Sequence, residues 1–139
     1  MTTEAFPELQ ALATKLIALP PADVPASKLP TVYGYVSAEQ ATPGYADACA
    51  DVLTWWSVAR GWRLSLVFRD IGIESTALIR PGFTAATDVL RLPEASGLLV
   101  ISHGHLSPTR SVADRLALAV RRTGTTLRIL ADELVETPT

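Results

Sequence analysis

The chain has 139 residues, with twelve Lys and Arg against fourteen Asp and Glu and a formal charge of −2. This leaves room for one core rather than two domains, and it lacks the basic excess that draws proteins to phosphate backbones, so DNA binding by this chain alone is not expected. Hydrophobic residues make up 48% and Cys49 is the single cysteine, which excludes long disorder, an internal disulfide and a thiolate-built metal site.

From Glu4 to Leu19 apolar residues recur at helical spacing through Phe6, Leu9, Leu12, Ala13, Leu16 and Ile17, and Pro20-Pro21 stop the pattern. Four prolines between residues 20 and 30 describe a stiff linker, which makes the helix of residues 1–19 an addition to the main domain of residues 31–131. Thr31 to Val36 reads as a strand that turns at Ser37 to Gln40. A helix follows from Pro43 to Arg60 on a stripe of Tyr45, Cys49, Val52, Leu53, Trp56 and Ala59, with Gly61 at its end and Trp55 at the edge of the stripe.

Trp62 to Phe68 alternates as a second strand, and Arg69 to Ile79 reads as a loop. Pro81 opens a helix that runs over Gly82 to Leu92. Gly97 to Ser102 is an unbroken apolar run of the kind buried on both faces of a parallel sheet. Pro108 to Thr123 is helical, Gly124 caps it, Thr126 to Leu130 makes a fourth strand, and residues 132–139 are expected to be a tail.

Helices alternating with four strands predict a three-layer α/β domain with a mainly parallel sheet. Ligands of such sheets sit beyond the carboxyl ends of the strands. The expected functional edge is therefore Ser37 to Gln40, Arg69 to Ile73 and Ser102 to Ser107. No Gly-rich phosphate loop occurs and no cofactor is expected, since Gly72 stands alone between Asp70 and Ile73. His103 and His105 could face a metal together only if the strand continued through Gly104, and no metal is expected. Arg115, Arg121, Arg122 and Arg128 form a basic group, although arginines at a helix C-terminus also complement its dipole. Trp55, free of the buried stripe, is a candidate contact for a protein partner.

Several short motifs, in their order, resemble the catalytic domain of the serine recombinases, the resolvase and invertase family. They are Gly34-Tyr35-Val36-Ser37 with Gln40, Gly61-Trp62, Phe68-Arg69-Asp70, Arg80-Pro81-Gly82-Phe83, Leu98 to Ser102, and Leu106-Ser107. The resemblance implies a resolvase-like fold with strand order 2-1-3-4, and it places Ser37 at the position of the nucleophile that attacks a DNA phosphodiester. It also implies a cluster of arginines around the phosphate, a task to which the guanidinium is suited. Here Tyr35 stands where the family has an Arg before the Ser, Gly104-His105 where it has Asp-Arg, and Pro108 where it has a second Arg; Arg80 alone remains. The chain also ends soon after the fourth strand, without the long helix and DNA-binding domain of such relatives.

The resulting expectation is a catalytically inactive, cytoplasmic, resolvase-like domain that acts through a protein partner or as a homodimer. The alternative is a small enzyme or binding protein for a phosphate ester or other anion. In it Ser37 and Arg80 hold the ligand and His105, whose reference pKa lies near neutrality, serves as acid or base.

Overall fold

The computed structural model describes residues 2–20 and 29–135. Helix α1 spans Pro7–Ile17, β1 Thr31–Ala38, α2 Tyr45–Arg60, β2 Arg63–Ile71, α3 Pro81–Leu90, β3 Ala95–Val100, α4 Arg110–Arg121, β4 Thr126–Ile129 and α5 Leu130–Val135. A 3-10 turn, Thr2–Ala5, precedes α1, and a second, His103–His105, follows β3. Most of the expected linker, residues 21–28, lies outside the described residues.

The four strands form one sheet in the order β2-β1-β3-β4, with every neighbouring pair parallel. Central strands β1 and β3 are apolar on both faces. Val32, Val36, Leu99 and Ile101 join one core with α2, while Tyr33, Tyr35, Leu98 and Val100 join a second core with α3 and α4. Two cores separated by a sheet are the three-layer arrangement the alternation of elements implies.

Leu9, Ala13 and Leu16 are at most 2% exposed and belong to the same core as Val36, Trp56 and Leu130. Helix α1 opens on Pro7, which lacks one of the otherwise free amides, and carries Glu8 in its first turn and Lys15 in its last, charges that complement the helix dipole. Its buried stripe thus shares the core of the sheet domain rather than lying apart from it.

Two segments differ from the sequence expectation. Strand β2 continues through Arg69, Asp70 and Ile71, because Ser37 and Ala38 of β1 extend far enough to pair with Asp70 and Ile71. Leu130–Val135 form α5, where the end of a strand and the start of a tail are expected, and the rest of that tail, residues 136–139, lies outside the described residues. Glu133 ties that helix down by pairing with both Arg60 and Arg128 at 3.1 Å, and the Arg128 guanidinium lies 4.7 Å over the Trp62 ring. The two edge strands are β2 and β4, and along β2 a register shift between Val32 and Tyr33 leaves Ser65 as an extra residue.

Shortening a side chain of α1 tests whether this helix is part of one cooperative unit. Leu16→Ala should lower the unfolding free energy by about 2–5 kcal/mol in a single transition monitored by urea denaturation. A transition left in place would show that α1 docks independently.

Candidate functional site

From β1 the chain crosses to β2 on one side, then returns past β1 to place β3 on the other. The carboxyl ends of β1 and β3 therefore flank a topological switch point, where open α/β sheets form a crevice. A cavity of about 300 Å³ lies there, walled by residues 37–40, Tyr45, Ile73, Ser75, Arg80 and the loop 104–108. Ser37, Arg80 and His105, far apart in sequence, meet at this cavity, and all three stretches of the expected edge contribute to it.

Arg80 is placed by its neighbour. Pro81 is the first residue of α3 and disfavours helical backbone in the residue before it, so Arg80 is extended (φ −136°, ψ 125°). Its side chain is only 1% exposed, and each guanidinium nitrogen donates within the protein. Nε reaches the Ala77 carbonyl at 2.8 Å, Nη2 the Ser75 carbonyl at 2.9 Å, and Nη1 the Leu106 carbonyl at 2.6 Å. Nη1 also lies 3.3 Å from Ser37 Oγ and 3.4 Å from the Tyr35 hydroxyl. One cation thus joins β1 to the loops that follow β2 and β3.

Asp70 is the matching anion, 4% exposed. Its carboxylate accepts the Tyr35 hydroxyl at 2.8 Å and the first free amides of α3, Gly82 N–H at 2.7 Å and Phe83 N–H at 2.8 Å. It therefore caps α3 from a neighbouring strand, with its charge at the positive end of the helix. Glycine is required at position 82: a Cβ there would stand 2.6 Å from the Arg69 carbonyl oxygen and 2.9 Å from Asp70 Cγ. Among the described residues no carboxylate forms an ion pair with Arg80. Asp70 reaches it through the Tyr35 hydroxyl, whose pKa burial pushes well above the usual phenol range.

Ser37 accepts from Arg80 and donates its own hydroxyl proton to the His105 carbonyl. The His105 imidazole points elsewhere: Nε2 is 3.0 Å from the Tyr45 hydroxyl, and Nδ1 is buried without a partner. Burial lowers its pKa to about 4, so the ring is neutral at pH 7. That direction moves the ring away from the near-neutral reference value of a free imidazole. Burial likewise pushes the Tyr45 phenol up, and it raises the Cys49 thiol to about 11, leaving that thiol protonated.

The two histidines take separate partners. His103 Nε2 pairs with Asp114 at 3.4 Å and does not line the cavity, and no cluster of His, Cys, Asp or Glu suited to a metal occurs among the described residues. Arg110 is exposed and also pairs with Asp114. Trp55 is half-buried against the core of α1 and α2 and lies away from the cavity. Arg128, engaged by Trp62 and Glu133, does not join the basic group on α4.

Comparison with solved structures follows this geometry. The chain superposes on the N-terminal catalytic domain of TP901-1 integrase with a TM-score of 0.66 at 20% identity, over 73% of this chain and 79% of that one. It superposes on the C-terminal catalytic domain of ISC1926 TnpA, an IS607-like serine recombinase, with a TM-score of 0.60 at 16% identity, over 76% of each chain. The first ORF of transposon ISC1904 from Sulfolobus solfataricus gives 0.55 at 19% identity, over 76% and 75%. The fold is that of a serine recombinase catalytic domain. No protein-family model and no curated protein matches the sequence.

Within this resolvase-like fold, Asp70 and Ser107 fall in the expected edge without a role assigned to either, and sequence reasoning missed Tyr35, Tyr45 and Ser75 as parts of the site. Ser107 Oγ donates to the Ser75 carbonyl at 2.6 Å and accepts the Thr109 N–H at 3.0 Å, so it ties the loop after β2 to the start of α4. A signal existed for Tyr35, since a tyrosine inside a buried strand must find a partner for its hydroxyl.

Removing the clamp should cost more than any surface change. Arg80→Ala leaves the Ala77 and Leu106 carbonyls without their side-chain donor and takes one of two donors from the Ser75 carbonyl, and a loss of about 3 kcal/mol or more is expected by denaturant unfolding. The His105 shift also fixes a pH dependence. Between about 6.5, its unfolded value, and about 4 the unfolded chain binds a proton that the folded chain refuses. Stability contributed by His105 is therefore full above this window and lost as pH falls through it. His105→Asn should flatten the thermal-stability profile across that range, and a profile identical to the parent's would refute the assignment.

Proposed function

We propose that this chain is a resolvase-like domain without phosphodiester chemistry, acting in the cytoplasm by holding a protein partner or a second copy of itself. The observation that carries the reading is the hydrogen bonding of Ser37. Its proton goes to the His105 carbonyl, which cannot act as a base, and a serine without a base is a poor nucleophile.

Charge supports the same reading. The three positions that differ from the family's arginines hold Tyr35, His105 and Pro108. His105 is neutral, and Arg80 is turned inward onto loop carbonyls. Losing one preorganised donor from a water-excluded site costs ~2.7–4 kcal/mol of transition-state stabilisation. Several such losses take a reaction below a useful rate even though they do not simply add. The half-exposed ring of Trp55 offers one contact to a partner.

A second reading, capture of a phosphate ester or other small anion by Ser37 and Arg80 with His105 at the wall, is favoured by the cavity, whose size suits a small ligand. A melting-temperature screen with phosphate monoesters and nucleotides separates it, because a shift lost in Ser37→Ala supports it and no shift removes it.

Incubation with supercoiled and linear DNA, resolved on a denaturing gel, tests the leading reading. The parent protein and Ser37→Ala should both give no covalent protein–DNA adduct. An adduct formed by the parent and absent from Ser37→Ala would overturn it. Light scattering and affinity capture from the native host test the other half: a strict monomer with no captured protein counts against a role in contacts.

A further inference from the structure

The outward face of α4 carries a feature that neither the cavity nor the core uses. Four of the twelve Lys and Arg fall in residues 110–122, with Asp114 as the only acidic residue there. The helix buries Ala113, Leu116, Ala117 and Val120. Turning by 100° per residue, it sets Ser111, Arg115, Leu118 and Arg122 along the centre of the opposite side, with Arg110, Asp114 and Arg121 beside them.

Leu118 is 44% exposed in the middle of this face. Arg110 and His103 share Asp114, whereas Arg115, Arg121 and Arg122 form no ion pair among the described residues. The helix dipole accounts for the two arginines of the last turn. It does not account for Arg115 in the middle of the helix, nor for an exposed leucine between Arg115 and Arg122.

We propose that the outer face of α4 is a docking surface for an acidic, amphipathic segment of a partner protein, with Leu118 as its apolar centre and Arg115, Arg121 and Arg122 as its charged rim. This rests on the reading of the domain as an interaction module and names the chemistry of its partner. An apolar centre within a polar rim is the anatomy of protein interfaces. A phosphate backbone would use the arginines and gain nothing from the leucine. Complementary charge steers the encounter, and burial of Leu118 against an apolar side chain gives the contact its register.

The test uses the full chain and a fluorescent helical peptide of glutamates with leucine at every third or fourth position. A glutamate-only peptide and a short DNA duplex serve as comparisons, all read by anisotropy. The leucine-bearing peptide should bind best, and its affinity should fall as salt rises from about 50 to about 200 mM. Leu118→Ser should weaken it about tenfold, and Arg115→Glu with Arg122→Glu should abolish it, in proteins whose melting temperature is unchanged.

Equal binding of both peptides, or binding indifferent to these changes, overturns the proposal. Tighter binding of the duplex with no effect of Leu118→Ser also overturns it and assigns the face to nucleic acid. None of these variants touches Ser37. Failure here with partner capture intact removes α4 as the surface, whereas a Ser37-dependent DNA adduct removes the module reading itself.

Discussion

A buried guanidinium governs the architecture of the sheet's carboxyl edge. Arg80 is 1% exposed, and burying a cation without compensation is prohibitive. Every part of the surroundings therefore turns oxygen toward it: the Ser75, Ala77 and Leu106 carbonyls, the Ser37 hydroxyl, and the Tyr35 hydroxyl that relays to Asp70. The loops after β2 and β3 hold themselves by a few turn hydrogen bonds and the Ser107–Ser75 contact, and the guanidinium adds the bonds that join both to β1. Asp70 uses its remaining capacity on the first amides of α3, so the same network fixes both the helix and the loops.

This arrangement links the structural and the chemical interpretations of the site. In a site built for phosphoryl chemistry an arginine must be free to meet the charge that develops on the substrate. Here that side chain is occupied by the protein's own carbonyls, and a tyrosine takes the interior position beside it. The serine sits between them with its proton held by a main-chain oxygen. The polar residues of the cavity thus act first as the means by which three segments of chain are joined, and the cavity they leave is a space beside that joint.

Much of the fold was legible because its signals are local. Gly61, with φ +75°, ends α2 where a glycine in the left-handed region should, and the apolar run over Leu98 to Ile101 marks a central strand by feeding both cores. The strand order followed from the resemblance rather than from any residue pattern. What was not legible depends on partners distant in sequence. Arg69 and Asp70 look like loop residues until α3 supplies the amides that satisfy Asp70. Leu130 to Val135 looks like the end of a strand and a tail until Arg60 and Arg128 hold Glu133. The meeting of Ser37, Arg80 and His105 could be anticipated from motif order. The neutral state of His105 and the inward turn of Arg80 could not, because both arise from burial that only tertiary packing creates.

The shift in register between β1 and β2 has a bearing on how the molecule behaves when crowded. Strand β2 is long and open on its outer side, the geometry that invites another chain to extend the sheet. The extra residue at Ser65 interrupts its pleat, so an incoming strand cannot keep in phase along the full length. Ribbon-like growth of a continuous sheet across this edge is thereby disfavoured, and the strand stays the boundary of its own sheet.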